Sequence, residues 1–161
     1  MVIHRPASAN IVSRSFSPEL TPREAQALAF LLPLSDDYPD IANWFINKVV
    51  PGLRAGTRVL LPVERDGNLV GLGIAKNEAD ERKICTVRIA PNYVGRGVGL
   101  RLFDDLLRWL DDDHPHLTVS SSKLPLFGRI FDYYGFHHTS KFEGLYKPKA
   151  IELGYNGTIL R

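Results

Sequence analysis

Three glycines at alternate positions, Gly95, Gly97 and Gly99, separate a β-branched run, ICTVRIAP over residues 84–91, from an amphipathic segment, LRLFDDLLRWL over 100–110. Glycine at these positions lets backbone N–H groups approach a ligand with no side chain in the way. A helix beginning there concentrates unpaired N–H groups and about half a positive charge at its first turn. The chemistry such a segment supports is anion binding, most simply of a phosphate or pyrophosphate. A tight strand-to-helix turn that needs glycine only for its shape would carry the same three residues, so the flanking sequence has to decide.

Two nucleotide-binding patterns are weak here. A phosphate loop of the GxxxxGK[ST] form needs a Lys and a hydroxyl after its last glycine, and both are absent. A dinucleotide fingerprint needs GxGxxG, but Leu100 stands where its third glycine should fall, and Ser120, Ser121 and Ser122 stand where an acidic residue should end the next strand.

The loop VGRGVG, Val94 to Gly99, and the IAPNY before it resemble the cofactor loop of the GNAT superfamily of acyl-CoA-dependent N-acetyltransferases. In that superfamily a central strand ends in Gln/Arg-x-x-Gly-x-Gly/Ala, which opens a helix. Val94 takes the place of the Gln or Arg. Downstream, FDYYGF, Phe131 to Phe136, is similar to the end of the family's last helix, YxxxGF. The two motifs in this order are more specific than either alone, and the likeness covers about residues 57–147. It implies acetyl-CoA as cofactor, its pyrophosphate held by the main chain of Val94, Gly95, Arg96, Gly97, Val98 and Gly99. It also implies a gap between strand four and the following parallel strand. There Arg88, Ile89 and Ala90 would offer a backbone edge to the pantetheine amides, as an added strand would. The thioester would lie near Thr86 to Arg88, with Ser121 and Ser122 facing the same gap; serines that only cap the next helix are an equal alternative.

Acyl transfer to an amine requires a neutral amine, a stabilised oxyanion and a proton for the departing thiolate. The resemblance assigns that proton to the Tyr of YxxxGF, but the position is Phe131, and Tyr134, one helical turn later on about the same face, is the nearest substitute. Water can also reprotonate the thiolate, catalysis then resting on positioning. Glu64, His137, His138 and Tyr146 are candidate bases by placement. His137 and His138 are adjacent on a predicted strand and so point to opposite faces, which argues against a shared metal ion. The acceptor is expected to be a primary amine of a small molecule or protein, with charged tRNA the one nucleic-acid option. Two other readings stay open: a catalytically silent acyl-CoA-binding module, and a toxin that acetylates aminoacyl-tRNA.

At 161 residues and 44% hydrophobic content the chain fits one domain, 1–161, burying about two-thirds of the surface its unfolded form exposes. A net charge of +2 argues for neither nucleic acid nor membrane. The single Cys85 excludes an internal disulfide and, lying within ICTVRI, reads as a packed strand residue. No run reaches the roughly 18 apolar residues of a membrane span, so a cytoplasmic protein is expected. A homodimer is compatible with the family.

The elements that must position these residues follow from period and punctuation. ANIVSRSF, Ala9 to Phe16, reads as a first strand. Thr21, Pro22 and Glu24 form a capping box ahead of AQALAFLL. A second helix is predicted from about Asp37 or Pro39 to Leu53, closed by Pro51 and Gly52. Three strands then form an antiparallel meander, its first hairpin turning at Asp66-Gly67 and Pro62 marking an edge or bulge. The helix after Gly97 carries Leu102, Phe103, Leu106, Leu107 and Leu110 on one face. LTVSSS reads as a strand, a helix runs from near Pro125 to Tyr134, and final strands fall around HHTSKFEG and LYKPKAIEL, leaving ELGYNGTILR as a tail. The expected architecture is a single α/β (α+β) domain of the GNAT type, with a mixed, mostly antiparallel twisted sheet flanked by helices and splayed between strands four and five.

Overall fold

A computed structural model describes residues 19–159; the strand expected over Ala9–Phe16 lies outside the described residues. Helix α1 (Pro22–Leu31) opens with the expected box: the Glu24 N–H donates to Thr21 Oγ1 at 3.1 Å and the Thr21 N–H to Glu24 Oε1 at 3.0 Å. Arg54 closes on the same carboxylate with two bonds of 2.7 and 3.0 Å, fixing α1 to the end of the second helical segment.

That segment differs from expectation at its end. Helix α2 (Ile41–Trp44) passes through a π-helical turn (Phe45–Val49) into α3 (Val50–Ala55), so Pro51 and Gly52 lie within the helix, which ends at Gly56. Pro51 lacks the N–H of a regular ladder. The wider turn just before it and its place at the start of α3 let the helix continue past the missing donor.

Strands β1 (Arg58–Arg65), β2 (Asn68–Glu78) and β3 (Glu81–Ile89) form the meander in the order β1-β2-β3. Asp66 and Gly67 turn the first hairpin with positive φ at both residues, as a type I′ turn requires, and the register slips by a bulge at Val63/Glu64, one residue past Pro62. A 3-10 turn (Pro91–Tyr93) and the glycine loop lead into α4 (Val98–Leu110). Then come β4 (Leu117–Ser120), α5 (Leu124–Tyr134), β5 (His138–Glu143) and β6 (Ile151–Tyr155). The last three strands make a second antiparallel sheet in the order β4-β6-β5.

The end of the chain departs from the sequence reading. The final strand is IELGY, not LYKPKAIEL, and ELGY is no tail but part of the central strand of its sheet. Residues 144–150 form the loop entering it, turned by an Ala150 N–H bond to the Lys147 carbonyl.

Apolar side chains collect on both faces of the strands. On one face α4 and α5 pack Leu102, Phe103, Leu106, Leu110, Phe127 and Phe131 against Ile84, Val87, Leu117 and Val119. On the other, Leu31, Ile41, Trp44, Phe45 and Val49 from α1–α3 cover Leu60, Leu72, Ile74 and Cys85. Each large apolar side chain so buried contributes about 1.5–3 kcal/mol relative to exposure.

Candidate functional site

The glycine loop forms an open cradle. Gly95 and Gly97 adopt φ of 81° and 83°, and a Cβ on either would meet no atom within 4 Å, so glycine is there for left-handed backbone and clear space rather than packing. Gly99 differs: a Cβ there would fall 2.7 Å from the Ile130 side chain and 3.0 Å from that of Ile89, which is how closely α4 seats between β3 and α5. Gly97 caps α4 without a side-chain bond, and the backbone bonds of the loop use only the N–H groups of Tyr93, Val94 and Arg96. Those of Gly95, Gly97, Val98 and Gly99 have no partner among the described residues. Arg96 stands beside them, its guanidinium 5.4 Å from the Tyr93 ring centre.

The strands next to this loop separate. β3 and β4 join in parallel through one bridge, Lys83 to His116, where the Ile84 N–H donates to the His116 carbonyl and the His116 N–H to the Arg82 carbonyl, both at 3.0 Å. Beyond it no ladder continues, so the strands open toward Ile89 and Ser120. Of the three residues expected on the β3 edge, two turn the other way. The Ala90 N–H donates to the Val70 carbonyl at 2.8 Å, and Arg88 pairs with Leu72 of β2. By the alternation of an antiparallel ladder, the backbone of Ile89 is the one directed into the gap. The Arg88 side chain reaches α1, donating to the Phe30 carbonyl at 2.9 Å with its guanidinium 4.4 Å from the Phe30 ring centre; burial pulls its pKa below the usual arginine range. Thr86, two residues back on the same strand face, has a fully buried hydroxyl with no hydrogen-bond partner among the described residues. An orphaned buried hydroxyl costs about 1–3 kcal/mol, and it lies where the strands part.

At the end of β4, on the α1–α3 side, lies a cavity of about 380 Å³ lined by Tyr38, Ser120–Ser122, Tyr146 and Glu152. Glu152 is 3% exposed, and the Tyr38 hydroxyl sits 2.8 and 2.9 Å from its two oxygens. Burial raises its pKa to about 7, against the opposing bonds from Tyr38 and Thr118. The serines do not cap the following helix: α5 has Lys123 as N-cap with no side-chain bond, while Ser122 Oγ lies 3.0 Å from Ser120 Oγ.

The remaining candidates scatter. The structure does not bring Tyr134 to the gap. Its hydroxyl donates to the Asp104 carboxylate and lies 3.3 Å from the Leu100 carbonyl in the α4–α5 seam, and burial, then Asp104, holds its pKa far above normal. Phe131 is core, packed against Phe103, Phe127, Phe136 and Tyr155. Glu64 is exposed on β1; the His137 ring stacks on His114, and His138 Nε2 lies 2.9 Å from the Ser140 carbonyl oxygen. Of the candidate bases only Tyr146 reaches the cavity, its ring centre 5.0 Å from that of Tyr38. Tyr38 and Glu152 went unread in the sequence because they lie 114 residues apart and belong to no local motif.

Helices on both faces of a sheet that opens beside a glycine-rich helix start define an acyltransferase-type fold. Residues 21–124 match the acetyltransferase (GNAT) family, and the chain belongs to it. Solved structures agree at the level of fold. The GNAT-family acetyltransferase from Streptococcus pneumoniae superposes with a TM-score of 0.63 at 17% identity, over 86% of this chain and 96% of that one. The ribosomal-protein-alanine N-acetyltransferase from Brucella melitensis gives 0.62 at 17% identity, over 82% and 93%. An aminoglycoside 6'-N-acetyltransferase complexed with coenzyme A gives 0.58 at 14% identity, over 84% and 90%. No curated protein matches the chain. Among the described residues no helix is long and apolar enough to cross a membrane.

Proposed function

We propose that this chain transfers an acetyl group from acetyl-CoA to a primary amine by direct attack in a ternary complex. The observation that carries the reading is the run of unpartnered main-chain N–H groups at Gly95, Gly97, Val98 and Gly99, set at the head of α4 beside the open end of β3 and β4. Those amides, with the helix dipole behind them, suit a diphosphate. The neighbour complexed with coenzyme A supports the same donor here. Val94 and Arg96 complete the loop around the diphosphate, and Ser122, exposed at the mouth of the gap, is placed to meet the pantetheine arm.

The Ile89 backbone offers the arm one strand-like pairing, and the Thr86 hydroxyl supplies a donor in want of an acceptor where the thioester would lie. The thioester contributes an activated acyl carbon and a leaving group of modest basicity. With Phe131 in the core and the Tyr134 phenol committed to Asp104, neither position is poised to protonate the thiolate, and solvent can supply the proton.

Calorimetric titration with acetyl-CoA tests the reading. Saturable binding at micromolar concentration, weakened by Gly97→Trp, is the expected result; no binding at high micromolar concentration removes its basis. Phe131 in the family's tyrosine position favours a second reading, an acyl-CoA-binding module without turnover. Tight binding with no thiol release across a broad panel of amines would select it.

A further inference from the structure

The face opposite α4 and α5 carries a buried acid that nothing in the cofactor loop requires. Glu152 is the second residue of β6, opposite Ser120 at the end of β4, and its side chain turns toward the α1–α3 face. Leu153 and Tyr155, its alternating neighbours, join the other core. Both carboxylate oxygens are within hydrogen-bond distance of one neutral phenol, Tyr38, and no lysine, arginine or histidine pairs with the group among the described residues. Burying a carboxylate is costly, and here a neutral phenol holds it. It lines a cavity large enough for a small organic group, at the end of β4 away from the bridge to β3.

We propose that Glu152 is the base that receives the acceptor's amine: the cavity under Tyr38 and Tyr146 binds a primary ammonium group, and the Glu152 carboxylate takes its proton. This rests on the N-acetyltransferase reading and extends it to the acceptor side. The ammonium gives one proton to Glu152; the neutral nitrogen then attacks the thioester carbonyl, the C–N bond forming as the C–S bond breaks. The second proton leaving nitrogen goes to the thiolate through water, and Glu152 returns its own to solvent through the cavity. Tyr38 is a positioning residue, holding both oxygens and easing the charged form. Raised affinity of Glu152 for a proton, caused by burial, suits a group that must accept one near neutrality. Among the described residues the titratable and polar groups that face it include Tyr38 and Asp37 from the α1–α2 connection, Thr118 and Ser120 from β4, and Tyr146, Lys147 and Lys149 from the loop before β6; the charge of the chain's N-terminal ammonium also acts on it, lowering its pKa.

The test uses two primary amines of the same carbon skeleton, ethylamine, which is an ammonium at neutral pH, and 2,2,2-trifluoroethylamine, which is largely neutral there. In the whole protein labelled with 13C at glutamate carboxyls, the resonance lost in Glu152→Gln identifies the group. Ethylammonium chloride should shift that resonance and lower its titration midpoint, and Tyr38→Phe should raise the midpoint in the free protein. In acetyl-CoA turnover, Glu152→Gln should lower kcat/KM for ethylamine by about 10²–10⁴-fold. It should leave trifluoroethylamine nearly unchanged, and acetyl-CoA affinity by calorimetry should match the parent. A Glu152 resonance indifferent to ethylammonium, or equal losses for the two amines, overturns the assignment. Failure of the parent to bind acetyl-CoA overturns the N-acetyltransferase reading instead, while the carboxyl titration still reports on whether the cavity holds an ammonium.

Discussion

Glu81 and Glu152 are buried to nearly the same degree, 7% and 3% exposed, at opposite ends of the region where β3 runs beside β4. Glu81 stands at the closed end. Lys76 Nζ lies 3.1 Å from its carboxylate, His116 Nδ1 2.9 Å and Lys83 Nζ 4.0 Å, and the same His116 and Lys83 make the single parallel bridge. Burial alone would raise its pKa; Lys83, His116 and Lys76 together outweigh that and hold it below the usual carboxylate value. Glu152 stands at the open end with the hydroxyls of Tyr38 and Thr118 beside it, and burial takes its pKa up to about 7. The same side chain is thus held ionised where lysines and a histidine surround it and pushed toward its neutral form where burial dominates. The fold keeps a bridged, ion-paired carboxylate at one end of the strand pair and, at the other, the carboxyl we propose as the base.

The largest effect should come from breaking the ion pairs of Glu81. Glu81→Gln takes the anion from Lys83 and leaves Lys76 only Glu78, 3.9 Å away, and removing one partner of a buried ion pair costs about 3–5 kcal/mol. With Lys76 and Lys83 side chains 16% and 17% exposed, the lower end of that range is expected in urea unfolding at neutral pH. Because the folded-state pKa is depressed, Glu81 stabilises the fold above its unfolded-state pKa and loses that contribution as pH falls through the folded value. The parent should therefore lose stability on acidification by more than Glu81→Gln does.

Glu152→Gln should do the reverse. A folded pKa near 7 against a reference of 4.5 means the folded chain holds a proton that the unfolded chain has released. Stability from this group is full below the lower value and lost as pH rises through the upper one. At about 1.4 kcal/mol per pKa unit, ionising Glu152 costs the parent about 3 kcal/mol above neutrality. The neutral amide, still accepting from Tyr38, should raise the thermal midpoint at alkaline pH and leave it unchanged in acid. Destabilisation at alkaline pH would mean that Glu152, like Glu81, is held ionised.

How far these differences were legible from the residues depends on range. The α4 loop declared itself because glycine spacing, a β-branched run and a 3.6-residue apolar period coincide within 27 residues, Ile84 to Leu110. The capping box at Thr21 and the Asp66-Gly67 turn were equally local. β6 was not. Glu152 and Gly154 interrupt the alternation that marks a half-buried strand, and both are explained only by tertiary neighbours: Tyr38 for the acid, and for Gly154 the Ser140 Oγ that would lie 2.0 Å from any Cβ. Pro51 misled for the converse reason, since a π turn lets the helix run on through a residue that ordinarily stops it. The direction of the Arg88 and Ala90 backbones depended on β2–β3 register, which no single-strand pattern contains.

A smaller effect sharpens the open end. Gly97→Val places a β-branched residue at φ 83° with no neighbouring atom to strain against, so its cost is conformational, about 1–2 kcal/mol. Chemical unfolding should register that modest loss. Calorimetry should register a larger one in acetyl-CoA affinity, because the new side chain covers the Gly97 and Val98 amides. Unchanged affinity would detach the cradle from the cofactor.

The smallest effect is expected from Tyr134→Phe, which separates a hydroxyl that packs helices from one that moves protons. The phenol already donates to Asp104 near the middle of α4, and a carboxylate acceptor together with burial makes the proton harder to release, the opposite of what a general acid for a thiolate requires. Deleting the hydroxyl keeps the ring stacked on Phe103 and Phe136 and returns a half-exposed Asp104 to water, so the loss in unfolding free energy should be about 1 kcal/mol. Acetyl transfer should keep its rate and its pH profile. A fall of about 10²-fold in kcat with the midpoint of unfolding intact would place this hydroxyl in the proton path and move the chemistry to the α4–α5 side of the sheet.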